Sequence, residues 1–367
     1  MAMTEKQGGS DVRANTTRAR RLGAGGPGEY ELRGHKWFCS APMSDAFLTL
    51  AQTEKGLSCF LVPRWRPDGT RNPISIQRLK DKLGNRSNAS SEIEYEGAWA
   101  RMIGEEGRGI RTILEMVHHT RNDTVAAPAA FMRQGLVQAL HHARHRRAFG
   151  KRLIDQPLMR NVLADLALES EAATVLSLRI ARGFDESPGN DEARAFTRIA
   201  TAVSKYWLNK QAPGHVVEAL ECLGGAGYVE ESGMPRLYRE APLNGIWEGS
   251  GNVICLDVLR AIGREPQALE LLLAEIGRGR GGNRHLDTAA ARFEADLSPQ
   301  SMTEERARSL TERLALLLQA SLLVRHAPAA VADAFCASRL ADRPGQAYGT
   351  LPAEVEFESI LERALPS

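Results

Sequence analysis

The chain has no long apolar run. No stretch approaches the roughly 18 hydrophobic residues that a membrane-spanning helix needs, and residues 1–6 lack the apolar core of a signal peptide. A cytoplasmic protein is therefore expected. Cysteine is scarce. The five cysteines (Cys39, Cys59, Cys222, Cys255 and Cys336) are scattered and never spaced Cys-x-x-Cys, which argues against a disulfide framework and a structural zinc site. Each reads as a small buried hydrophobe. Histidines cluster at His118-His119 and at His141, His142 and His145, but without cysteine partners or an acidic ligand at helical offset, so no metal is expected. Charge of one sign is lacking too. A formal net charge of +2 demands no polyanionic partner, and no repeat of solenoid period is found.

What is present is an ordinary globular composition, 43% hydrophobic and 25% charged over 367 residues, enough for two or three domains. Short runs of alternating or β-branched residues recur at 30–32, 46–52, 57–62, 74–78 and 92–95, between Gly, Pro and Asn punctuation. They predict a small β-barrel or sandwich. The segment 22–28 reads as a glycine-rich surface turn, because no helical pattern follows it. Near Gly104 the period changes to helical, and patterns run through 124–146, 159–184, 191–210 and 214–223. They predict an antiparallel four-helix bundle. Further helical regions begin near Pro266, break at 277–283 and resume over 309–324 and 329–340. The fold class expected is α+β: a β domain at 1–104, a helical bundle at 105–265 and a helical extension at 266–367.

Four segments can carry chemistry. Thr4-Glu5-Lys6-Gln7-Gly8-Gly9-Ser10-Asp11 can offer hydroxyls and several backbone N–H groups to one anion, or be a polar turn at a chain end. Gly224-Gly225-Ala226-Gly227 reads as a helix C-cap or a point of close approach to a ligand. Ile246-Trp247-Glu248-Gly249-Ser250-Gly251-Asn252 places a carboxylate beside an aromatic. There its pKa can rise towards that of a general base, or the side chain can simply be solvated. The run from Arg144 to Arg152 can meet phosphates or form a solvated helix end.

The order and separation of these segments resemble the acyl-CoA dehydrogenase family, most closely its branch named for the bacterial adaptive response to alkylation (AidB). Thr4-Glu5-x-x-Gly8-Gly9-Ser10-Asp11 is similar to the first signature of the family. Gly34-His35-Lys36-Trp37-Phe38-Cys39-Ser40 resembles its flavin-facing strand, and Arg146-x-x-Phe149-Gly150 the helix that reaches a neighbouring subunit's flavin. Leu223-Gly224-Gly225-x-Gly227-Tyr228, Arg236-Leu237-Tyr238-Arg239-Glu240 and the loop from Trp247 to Asn252 resemble the second signature and catalytic loop.

The resemblance implies an FAD-dependent oxidoreductase acting on an acyl-CoA, built as a homotetramer. It implies cofactor contacts from Met3, Thr4, Gly9, Ser10, Phe38, Cys39 and Ser40, and from Arg146, Phe149, Gly224, Gly225, Ile246, Trp247, Gly249, Ser250 and Asn252. Thr4 and Ser10 would hydrogen-bond the flavin and its pyrophosphate, Phe38 would stack on the ring system, and Ser40 would lie near its reactive nitrogen. Glu248 aligns with the catalytic base. Another branch carries its base just before an arginine of the first bundle helix, where this chain has Thr120 before Arg121. Three departures stand out. The similarity starts at the first signature, without the helical domain that closes the acyl pocket in the family, which implies weaker binding. Pro157 and Glu221 stand where glutamines are common. The AidB resemblance also implies an alternative activity, binding of double-stranded DNA through the extension. Residues 266–367 carry eleven basic against fourteen acidic side chains, net −3, unlike an electrostatic DNA footprint taken whole. A local patch remains at Arg278, Arg280 and Arg284.

Overall fold

A computed structural model describes residues 1–23, 28–298, 300–341 and 345–366. Most of the turn expected at 22–28 lies outside them. The chain forms two compact units, residues 1–119 and 120–367.

In the first unit six strands appear: β1 (Arg18–Arg21), β2 (Glu29–Cys39), β3 (Ala46–Thr53), β4 (Gly56–Pro63), β5 (Ile74–Leu79) and β6 (Ser91–Ile103). Their order is β2-β1-β3-β4-β6-β5, and β2 also pairs with β6. Five strands thus close into a ring, with β5 attached to the outer edge of β6. Closure removes the free edges that an open sheet would expose. Alternation along β2, β4 and β6 sends Tyr30, Leu32, Phe60, Val62, Ile93 and Tyr95 into one buried cluster. The five expected strands are present within longer ones. The sixth, β1, was not foreseen: Arg18-Ala19-Arg20-Arg21 has no apolar alternation, and its pairing with β2 supplies its order.

The long helix α1 (Gly109–His145) starts in the first unit and continues into the second. After it come a two-residue hairpin, β7 (Arg147–Ala148) and β8 (Lys151–Arg152), and the helices α2 (Pro157–Glu186) and α3 (Asp191–Glu221). Then follow α4 (Gly225–Tyr228), α5 (Met234–Glu240), α6 (Gly251–Arg264), α7 (Pro266–Gly277), α8 (Arg284–Asp296), α9 (Ala307–His326), α10 (Ala329–Arg339) and α11 (Phe357–Ala364). Asn190 caps α3 by accepting from the Ala193 amide, 3.0 Å.

The helices expected at 191–210 and 214–223 are one helix, because α3 runs unbroken through Pro213. The fourth long helix of the bundle is instead α6. Buried residues of α1, α2, α3 and α6 share one core with those of α7, α8, α9, α10 and α11. Helix α9 packs on α2, α3 and α6, and α7 packs on α3. The C-terminal helices therefore belong to the same packed body as the bundle. Among the described residues, no helix is long and apolar enough to cross a membrane.

Candidate functional site

In the first unit the opening segment is tied to the barrel by its backbone. The Ala2 amide donates to the Leu48 carbonyl (2.9 Å), and the Trp37 amide to the Thr4 carbonyl (2.7 Å). The second bond falls where the β2–β6 register slips between Lys36 and Cys39, so the irregularity turns Trp37 towards the opening segment. A buried charge fixes the same segment. Lys36 donates to Glu5 at 2.8 Å and to the Leu50 carbonyl at 2.7 Å. Glu5 also accepts from the Thr16 amide, the Thr16 hydroxyl and the Thr17 amide. Burial pushes the Glu5 carboxyl up, but the Lys36 ammonium and these donors outweigh it and hold it at about 2.

The predicted residues of this unit surround that anchor. Gly8 lies at φ +119° and nothing approaches its missing Cβ, whereas a Cβ on Gly9 would meet the Thr4 hydroxyl at 2.5 Å. Only glycine lets the chain fold back over Thr4 here. The Met3 carbonyl accepts from the Asn15 side-chain Nδ2, 2.9 Å. Phe38 is 42% exposed at the end of β2, with the Lys80 ammonium 4.7 Å from its ring centroid. Cys39 points the other way, into the barrel core, so its side chain offers nothing to a surface ligand.

In the second unit the loop before α6 is held as firmly. Glu248 adopts φ +57° and Gly249 φ +111°, two successive left-handed residues that make a sharp reversal. Arg121 donates from Nε to the Glu248 carbonyl at 3.1 Å, and from a terminal nitrogen to Asp257 at 2.7 Å. Arg198 donates to the other Asp257 oxygen at 2.8 Å. Lys205 donates to the carbonyls of Asn244 (3.0 Å) and Gly249 (2.8 Å). The Trp247 indole N–H donates to the Asn244 side chain, 2.7 Å. Inside this cradle the Glu248 carboxyl is raised. Burial is the largest cause, opposed by a hydrogen bond with Thr120 and by the charges of Arg121 and Lys205. The carboxyl in this setting holds a proton more readily than a solvated one. Thr120 thus acts on the carboxyl of Glu248 from the helix position where another branch carries its own base.

The remaining predicted residues of this unit have distinct settings. Ser250 is the N-cap residue of α6. The Asn252 side chain accepts from Arg308 at 2.9 Å, and Ile246 is exposed. Gly224, at φ +59°, is the N-cap residue of α4, which Gly225 opens; α3 ends before the pair, at Glu221 with Cys222 as its C-cap residue. Arg146 and Phe149 stand outside the loop, at the end of α1 and the tip of the β7–β8 hairpin. Phe149 is 97% exposed. Of the basic trio, Arg278 pairs with Glu275 at 2.9 Å and Arg280 with Glu294, so these arginines are not three free cations.

Sequence reasoning missed Arg121, Lys205, Asn244 and Asp257 as parts of the loop's support. Lys205 carried the one usable signal, a lysine on a helix otherwise flanked by Ala202, Val203, Tyr206 and Trp207.

Comparison with known proteins fits both halves of this geometry. Residues 1–98 match the model of the acyl-CoA dehydrogenase middle domain, and residues 107–263 that of the acyl-CoA dehydrogenase C-terminal domain. The AidB protein of Escherichia coli K12 is 48% identical over 345 residues, 94% of this chain and 63% of that protein. The structure of Caenorhabditis elegans ACDH-11 in complex with C11-CoA superposes with a TM-score of 0.82 at 31% identity, over 91% of this chain and 62% of that one. An acyl-CoA dehydrogenase from Bacillus anthracis, complexed with FAD, shares the fold with a TM-score of 0.75 at 19% identity, over 91% of this chain and 65% of that one. The chain thus spans less than two thirds of the length of these relatives. Two adjoining domain models, on a barrel and a bundle of the matching architecture, place it: the chain belongs to the acyl-CoA dehydrogenase family.

Proposed function

We propose that this chain binds FAD and dehydrogenates an acyl-CoA thioester between its α and β carbons, with Glu248 as the base. The observation that carries the reading is the Glu248 carboxyl, raised by burial and presented on a left-handed turn that Arg121 and Lys205 hold from behind. The opening segment fits a flavin dinucleotide. Gly9 brings the backbone over the Thr4 hydroxyl, Ser10 is exposed, and the Phe38 ring is 42% exposed. On this reading Met3, Thr4, Gly9 and Ser10 hold the flavin and pyrophosphate, Phe38 stacks on the ring, Cys39 contributes backbone, and Ser40 hydrogen-bonds the ring edge. FAD, when bound, supplies the two-electron acceptor of the reaction.

Glu248 removes the proton from the α carbon. That carbon is a weak acid, so a carboxyl with raised proton affinity serves better than an ordinary solvated one. Thr120 orients the carboxyl, and the positive charges of Arg121 and Lys205 oppose the upward pull of burial on it. Ile246, Trp247, Gly249, Ser250 and Asn252, with Gly224 and Gly225, supply the remaining cofactor contacts. Arg146 and Phe149 serve a neighbouring subunit's FAD in a homotetramer. Support for that comes from Phe149, an almost fully exposed ring on a left-handed residue (φ +52°), the kind of apolar group that a partner surface covers.

The test is anaerobic. The purified chain, loaded with FAD, is mixed with short, medium and long acyl-CoAs while the visible flavin band is followed. Bleaching by at least one thioester is expected, and Glu248→Gln should slow it by roughly 10²–10⁴-fold with flavin still bound. A yellow protein that no acyl-CoA bleaches overturns the reading.

A further inference from the structure

Lys205 lies on the buried stretch of α3 and is 1% exposed. Its Nζ donates to two carbonyls, those of Asn244 and Gly249, at 3.0 and 2.8 Å. Both acceptors are neutral, and they bracket Gly245, Ile246, Trp247 and Glu248. Burying an ammonium against carbonyls alone is costly. Burial, and then the like charges of Arg121 and Lys210, push its pKa down to about 7, against the pull of Glu248. An apolar side chain of the same length would fill the space at less cost. What it could not do is tie the two ends of the turn together. The turn itself needs tying, because Glu248 at φ +57° is a non-glycine residue in a sparsely populated backbone region. Arg121 grips the turn at one further point, the Glu248 carbonyl.

We propose that Lys205 is a positioning residue, whose ammonium clamps the carbonyls of Asn244 and Gly249 and so holds the turn that presents Glu248. The inference rests on the reading of Glu248 as the base, but its main test does not. Amide hydrogen exchange is measured on the full chain and on Lys205→Met, which keeps the length and loses the donors. Exchange across residues 244–252 should accelerate by about tenfold or more, while the rest of α3 away from the substitution keeps its protection. Lys205→Arg, which restores charge and donors, should recover part of that protection. Should the methionine variant fold poorly, Lys205→Leu, which also carries no donor, serves the same comparison. Unchanged exchange across 244–252 in a folded variant without the ammonium overturns the proposal.

A second readout moves with charge rather than packing. Thr120, Arg121 and Lys205 all lower the proton affinity of Glu248. Loss of Lys205 should therefore shift the acid limb of flavin reduction to higher pH, and an unmoved limb counts against the clamp. If the wild-type flavin is never bleached by an acyl-CoA, the dehydrogenase reading falls, and the exchange measurement still decides the role of Lys205.

Discussion

Gly249 is the residue on which the loop turns. At φ +111°, a Cβ added there would stand 2.9 Å from the Ile254 Cδ1 atom and 3.3 Å from its Cγ1, and Ile254 is fully buried. Gly249→Ala therefore combines backbone strain with a clash against the core, and should cost about 1–3 kcal/mol in denaturant unfolding. Gly251, two residues on, is the matched control. It sits inside α6, and its added Cβ would meet the flexible end of Lys210 at 3.2 Å. Gly251→Ala should stay within about 0.5 kcal/mol of wild type or gain slightly from helix propensity. Equal losses in both variants would mean that the turn is not strained. The contrast also shows what was legible at this scale. Glu248 could be read from its motif and its aromatic neighbour. Lys205 showed only as a lysine in an apolar stretch, and Asp257 not at all, because their partners lie tens of residues or more away and only the packing of the helices brings them together.

Among the elements, α1 and α3 each carry an internal proline, Pro128 and Pro213. A helical proline leaves the carbonyl four residues earlier without its N–H partner and ordinarily costs about 3 kcal/mol. For Pro128 that carbonyl belongs to Thr124, and it accepts from the Asn209 side chain at 2.8 Å. The same amide group donates to the Lys205 carbonyl, also at 2.8 Å. One buried side chain on α3 thus repairs the defect that Pro128 makes in α1. Asn209→Leu, which keeps the branching but carries no donor, should destabilise the chain by about 1–3 kcal/mol, since it leaves the Thr124 carbonyl buried and unpaired. In a Pro128→Ala background, where the helix supplies its own donor, the loss should shrink. Equal losses in both backgrounds would show that Asn209 does not compensate the proline.

This is also why α3 was misjudged. Propensity breaks a helix at Pro213, but Ala212, His215, Val216 and Ala219 around it are all buried, and packing outweighs one lost bond. The barrel strands were easier to read because alternation survives in β2 to β6. The arginine-rich β1 and the two-residue strands β7 and β8 carry no period to read.

On the scale of the whole molecule, each unit contains a carboxylate whose ionised form is strongly favoured by folding. In residues 1–119 it is Glu5, and in residues 120–367 it is Glu275. Glu275 is 4% exposed. It accepts from Arg179 at 2.9 Å and Arg325 at 2.8 Å, with Arg278 also at 2.9 Å, so it joins α7 to α2 and α9. Burial raises its carboxyl, but hydrogen bonds from Arg179 and Arg325 and their charges outweigh this and hold it at about 2, against an ordinary 4.5. The folded-state value is depressed, as it is for Glu5. The stabilisation is therefore complete above pH 4.5 and is lost as the pH falls towards about 2. Both units should begin to weaken over the same acid window. Glu275→Gln should cost on the order of 3 kcal/mol at neutral pH, because it leaves the half-buried Arg325 without its counter-charge and Arg179 with only the 3.9 Å contact to Glu186. It should also flatten the acid limb, since the group that titrates there is gone. Hydrogen exchange resolves the two units: Glu275→Gln should flatten the pH dependence of protection in α7 and α9 and leave that of β2 and β6 unchanged, and Glu5→Gln should do the reverse. An acid limb that keeps its slope in both variants would place the acid sensitivity of this fold on other carboxylates.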